Sequence, residues 1–183
     1  PTLESAILKG LAYSYDDFAG EIPSEWFGYA AELALFQDRL YGIPLAGDVL
    51  VLLYQPELIA EPPANWDSTL QVQSPLLFPA AQEQALFTLA QYQALGGRFK
   101  DEQGRPMLDG KILGEVLTFY INALQAGQVS DRLAQYESEE QVWNAFLEGQ
   151  YPMGVTWSSP GFADSSLTLM APPTQSGATY TLA

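Results

Sequence analysis

The run Val49-Leu50-Val51-Leu52-Leu53-Tyr54 constrains the chain most, because six consecutive apolar, strand-forming residues have no polar face to turn toward water. A strand of this kind must be covered on both sides, which points to an α/β sheet flanked by helices, with this run as its central strand. The chain is long enough to build such a layer. At 183 residues it can bury one large core or two small ones without disulfides.

What is missing narrows the chemistry. The sequence holds no Cys and no His, so thiol nucleophiles, imidazole bases, disulfides and nearly all zinc chemistry are excluded. With 22 Asp and Glu against 7 Lys and Arg, the formal charge of −15 repels phosphate backbones and anionic lipid surfaces. Nucleic acid is therefore not an expected partner. No segment has the length of a membrane-spanning helix, and Pro1-Thr2-Leu3-Glu4 has neither the basic head nor the cleavage pattern of a leader. Starting without Met, the chain reads as a fragment.

Helix and turn signals fill in the rest. Ser24 opens a stripe of Trp26, Tyr29, Leu33 and Phe36, and Gly42 and Pro44 break the chain after it. Beyond the strand, Trp66-Asp67-Ser68 reads either as a turn into a short helix or as an extended lead toward Leu76-Leu77-Phe78. A helix from Ala80 with Ala81, Ala85, Leu89 and Tyr92 on one face ends at Gly96-Gly97. A stronger one is capped by Asp109 and Gly127 and carries Leu113, Val116, Leu117, Tyr120, Ile121 and Leu124 inward. Ser138-Glu139-Glu140-Gln141 has the spacing of a reciprocal capping box. Met153, Val155 and Trp157 alternate as in a strand, and Leu167-Thr168-Leu169-Met170 suggests another.

Several segments in this order resemble the extracellular solute-binding proteins of ABC importers, the family 1 group. They are Arg39-Leu40-Tyr41-Gly42-Ile43-Pro44, Pro62-Pro63-Ala64-Asn65-Trp66-Asp67, Ala94-Leu95-Gly96-Gly97 and Phe146-Leu147-Glu148-Gly149-Gln150-Tyr151-Pro152-Met153-Gly154-Val155. The chain departs from the family's pattern at Gln55-Pro56, where Asn-Lys is often found, and at Trp157-Ser158-Ser159-Pro160, which lacks the aromatic that a sugar-binding member of the family places there after its glycine. The resemblance implies a type II periplasmic-binding-protein-like lobe with a mixed, mainly parallel sheet flanked by helices. It implies that residues 1–40 trail from a first lobe, that 41–173 form the second, and that 174–183 begin the return crossing or a tail.

Function follows from the same resemblance: capture of an extracellular sugar or oligosaccharide between two lobes that close on a hinge, and delivery to ABC permease subunits. The protein would be a monomer outside the cytoplasm, periplasmic or held as a cell-surface lipoprotein, with no cofactor, no metal and no catalysis. A carbohydrate hydrolase using Asp and Glu, and an interaction module that has lost its ligand, are the competing classes.

Six residues are candidate ligand contacts. Asp48 aligns with a carboxylate that takes sugar hydroxyls, although Gly47-Asp48 can equally be a plain turn before the strand. Trp157 can stack on a pyranose ring or continue the core alternation. Gln82, Glu83 and Gln84 are expected in the first turn of the Ala80 helix, where free backbone donors favour ligand acceptors, or where such residues are simply solvated. Tyr41 sits at the expected lobe crossing, as a cleft-edge residue or a packing one. Trp66 and Trp143 are expected to be structural. The loop from Asp101 to Asp109 lacks the ligand spacing of a calcium site and reads as a solvated turn. Adjacent acids such as Asp16-Asp17 and Glu139-Glu140 are not placed across any pocket.

Overall fold

Packing divides the chain between Gly47 and Asp48. The computed structural model describes residues 3–15, 26–72, 74–161 and 167–177. Ser24 and the Asp16-Asp17 pair fall outside these residues. The first unit holds helix α1 (Leu3–Leu8), helix α2 (Gly28–Ala34) and strands β1 (Leu35–Phe36) and β2 (Arg39–Leu40). The expected helical stripe through Phe36 stops at Ala34. Gln37 and Asp38 both take positive φ, 50° and 59°, and this mirror-image turn folds β1 onto β2 with Leu35 opposite Leu40. Neither residue supplies the glycine signal that announces such a hairpin.

The second unit is built around strand β3 (Leu50–Tyr54). Leu52 and Leu53 point to opposite faces of the sheet and are 0% and 1% exposed, so both faces are covered, as the apolar run requires. Helix α3 (Trp66–Gln71) resolves the two readings of that segment in favour of a helix. Asn65 accepts from the Ser68 amide at 2.9 Å while the Ser68 hydroxyl accepts from the Asn65 amide at 3.0 Å.

Helix α4 (Leu86–Ala94) starts later than its sequence suggests. Ala85 takes φ 49°, a left-handed turn that no helix interior permits, so residues 80–85 form turns before the helix. Helix α5 (Gly110–Gln125) begins where expected, with the Asp109 carboxylate accepting from the amides of Lys111 at 2.8 Å and Ile112 at 3.2 Å. Only part of its apolar arc faces inward. Val116, Phe119 and Ala123 are buried, whereas Leu117, Ile121 and Leu124 are 46%, 54% and 49% exposed. Those three border a groove of about 520 Å³ with Phe78, Tyr120 and Leu133.

Helix α6 (Glu139–Leu147) keeps half of its capping box. The Ser138 hydroxyl accepts from the Gln141 amide at 3.3 Å, but the Gln141 side chain accepts from Glu137 N at 2.6 Å, one residue upstream of the expected donor. It leads directly into strand β4 (Met153–Trp157), which is followed by the single helical turn α7 (Ser158–Gly161) and strand β5 (Thr168–Met170).

The sheet order is β4-β3-β5, so β3 is central as its sequence demands. Its direction relations differ from the mainly parallel sheet expected. Both neighbours run antiparallel to β3, and among the described residues parallel pairing is limited to single bridges at Leu77–Gly154 and Asn65–Thr174. An apolar run shows that both faces of a strand are covered; it carries no information on which way the neighbouring strands point. Leu77 still extends the sheet, its carbonyl accepting from the Val155 amide at 2.7 Å.

Candidate functional site

Leu50 lies opposite Trp157 in the last pair of the β3–β4 ladder, so residues just before β3 meet residues just after β4. Asp48 and Trp157 therefore emerge at the same end of the sheet. Asp48 is exposed and Trp157 is half-buried. The Asp48 carboxylate bridges the two segments through Ser158 and Ser159. Its Oδ1 accepts from Ser158 N at 2.9 Å, Ser158 Oγ at 2.5 Å and Ser159 N at 3.1 Å, and its Oδ2 accepts from Ser159 Oγ at 2.6 Å. The Val49 amide also donates to Oδ1 at 2.9 Å.

Partial burial pushes the Asp48 carboxyl upward, but hydrogen bonds from the side chains of Ser158 and Ser159 and the backbone of Ser159 and Val49 outweigh it. The group is held below the ordinary carboxylate value. Asp48 is accordingly an anion at neutral pH, placed at the open N-terminal end of α7.

Gln82, Glu83 and Gln84 do not lie in a helical first turn, because α4 begins only at Leu86. Glu83 and Gln84 are exposed. Gln82 is instead part of the scaffold: its Oε1 accepts from the Leu86 amide at 3.0 Å, and its Nε2 donates to both Glu139 oxygens at 2.8 and 2.7 Å. The Glu139 carbonyl then accepts from Thr156 Oγ1 at 3.1 Å, one residue before Trp157. Gln82 thus reaches the end of β4 through Glu139. Tyr41 belongs to the first unit, where its ring meets Phe36 edge-on at 6.3 Å.

The structural tryptophan readings hold for Trp66, which is buried, stacks on Phe119 at 4.5 Å and donates its indole N–H to Gln91 at 2.9 Å. Trp143 lies against Phe146 with ring centres 6.4 Å apart. The Asp101 loop closes on itself, Asp101 accepting from the Gln103 and Arg105 amides and pairing with the Arg105 guanidinium at 2.7 Å. Among the described residues no group of three acidic side chains could hold a metal.

Ser158, Ser159 and buried Glu139 are the residues that sequence reasoning missed. The signal for the serines is faint: Ser-Ser-Pro-Gly directly after a strand can open a helical turn, and such a turn needs an acceptor. Nothing local shows that Asp48 supplies it.

The family of bacterial extracellular solute-binding proteins matches residues 2–180. The chain belongs to this family. Over 175 residues it is 23% identical to the maltotriose-binding protein of Pyrococcus abyssi, covering 90% of this chain and 38% of that relative. The fold is shared with solved solute-binding proteins. The GacH receptor of Streptomyces glaucescens, solved unliganded and with acarbose, superimposes with a TM-score of 0.72 at 17% identity, over 95% of this chain and 50% of that one. The maltose-bound MalE3 of T. maritima gives a TM-score of 0.70 at 17% identity, over 85% and 46%. The chain thus spans about half the length, or less, of these solute-binding proteins. The α/β, type II periplasmic-binding-protein-like fold implied by the resemblance is the fold observed.

Proposed function

We propose that this chain forms one wall of a sugar-binding cleft in the solute-binding component of an ABC importer. The supporting observation is the meeting of Asp48, Trp157, Ser158 and Ser159 at one end of the sheet, in a chain of this family. An aromatic face beside hydroxyl and carboxylate groups suits a pyranose, whose C–H face is apolar and whose rim is all hydroxyl. Relatives named for maltotriose, maltose and acarbose make α-linked glucosides the first ligands to try.

In this reading the opposite wall comes from elsewhere in a longer protein, as a chain spanning 38% of one relative and about half of others suggests, and the second unit, from Asp48, is taken as the second lobe. Ligand touching both walls would shift an open–closed equilibrium, and permease subunits would recognise the closed form. No bond is made or broken in this scheme. Glu83 and Gln84, both exposed, are placed in this scheme to reach a longer oligosaccharide. The protein would work outside the cytoplasm, in the periplasm or on a lipid anchor.

Calorimetric titration of the full-length protein with maltose and maltotriose tests the reading. Saturable binding is expected, with Trp157→Ala weakening it about tenfold or more, the order of a lost aromatic stack. The 183-residue chain alone should bind far more weakly, since half a site leaves most of the ligand in water. Turnover of aryl glycosides without saturable sugar binding would select the hydrolase instead.

A further inference from the structure

The carboxylate that a sugar would use at Asp48 is already engaged within the chain, above all at Oδ1. Five donors converge on it, four on Oδ1 and one on Oδ2: the Val49 amide, the amides of Ser158 and Ser159, and both serine hydroxyls. With two lone pairs on each oxygen, Oδ1 is more than filled by its four donors, and Oδ2 keeps one position beside the bond from the Ser159 hydroxyl.

The donors come from segments 110 residues apart, one opening the second unit at Asp48 and the other directly following Trp157. Ser158 is only 4% exposed and its amide also donates to the Val49 carbonyl at 2.9 Å, which closes the junction on its inner side. The amides of Ser158 and Ser159 open α7, where no earlier turn supplies acceptors; Asp48 accepts from Ser159 and shares the Ser158 amide with the Val49 carbonyl. Ser159, by contrast, is exposed. Its hydroxyl hydrogen is committed to Oδ2, so its oxygen lone pairs are left facing outward and are strengthened as acceptors by the bond to an anion.

We infer that Asp48 is a positioning residue: its carboxylate clamps the first turn of α7 to the start of β3, fixing Trp157 and Ser159 in the wall, and hydroxyl recognition passes to Ser159. This inference rests on the sugar-site reading above. It departs from direct ligation, in which the carboxylate itself would hold the sugar.

Asn at this position separates the two. Its oxygen can accept everything Oδ1 accepts and its NH₂ can donate to the Ser159 hydroxyl, but it is not an anion. Amide hydrogen exchange on the 183-residue chain should show Val49 and Ser159 exchanging about tenfold or more faster in Asp48→Ala than in wild type, and nearly unchanged in Asp48→Asn, with Ser158 still held by the Val49 carbonyl. Unchanged protection in Asp48→Ala would overturn the clamp outright. In the full-length protein, maltotriose affinity should fall about tenfold or more in Asp48→Ala, stay within about threefold in Asp48→Asn, and fall in Ser158→Ala, whose buried hydroxyl cannot reach a ligand. Loss in Asp48→Asn as deep as in Asp48→Ala, with Ser158→Ala binding as well as wild type, would make Asp48 a direct ligand. A wild-type protein that binds no sugar would end the reading of the site, and the exchange rates would still decide the clamp.

Discussion

Gln91 is fully buried, and both ends of its amide are used: the carbonyl accepts from the Trp66 indole and the NH₂ donates to the Pro173 carbonyl at 2.8 Å. Single polar side chains tie distant segments elsewhere as well, as Asp48 does. Because its folded carboxyl is held below the unfolded value of about 3.9, Asp48 adds stability above that value, and this is lost as pH falls through the folded one. Urea unfolding of wild type and Asp48→Asn should therefore separate most at neutral pH and converge below about pH 4, with a small gap because the group is largely solvated. Asp48 was singled out as a candidate by the resemblance to the family. Its manner of working was not, since it depends on two serines far along the chain.

Local signals located most elements. Asp109, Ser138 and the apolar run of β3 each state their role within a few residues, and α5, α6 and the central strand stand where those signals put them. The sequence was silent where a contact between elements decides the outcome: the turn at Ala85, the hairpin at Gln37-Asp38 and the antiparallel partners of β3. The glycine pair after α4 shows both kinds of cause. Gly96 takes φ 86° and ends the helix as its sequence suggests. Gly97 is needed for space instead, because a Cβ there would lie 2.3 Å from the ring of Tyr92. That ring cannot step aside: its hydroxyl donates to the Arg98 carbonyl at 2.9 Å and accepts from the Asp109 amide at 2.8 Å, so it joins the end of α4 to the cap of α5. Gly97→Ala should cost about 1–3 kcal/mol, read as a lower urea midpoint with an unchanged slope.

At the scale of the molecule, the apolar run and the resemblance foretold the class of fold, and the family match supports the class of function proposed. The extra apolar width of α5 was visible as a sequence pattern, yet the pattern could not say that α3 and α4 would cover only part of it. Leu117, Ile121 and Leu124 share one face of that helix and stay wet, on a chain whose formal charge is −15. The two features oppose each other. At low ionic strength mutual repulsion keeps copies apart; when added salt shortens the screening distance from about 30 Å at 0.01 M to about 8 Å at 0.15 M, that restraint fades while the attraction between greasy stripes does not. Sedimentation of the 183-residue chain should therefore show self-association that rises with sodium chloride, and Leu117→Lys together with Ile121→Glu should abolish the rise. Colloidal behaviour, in such a protein, becomes a gauge of how much of its helical surface has been left without cover.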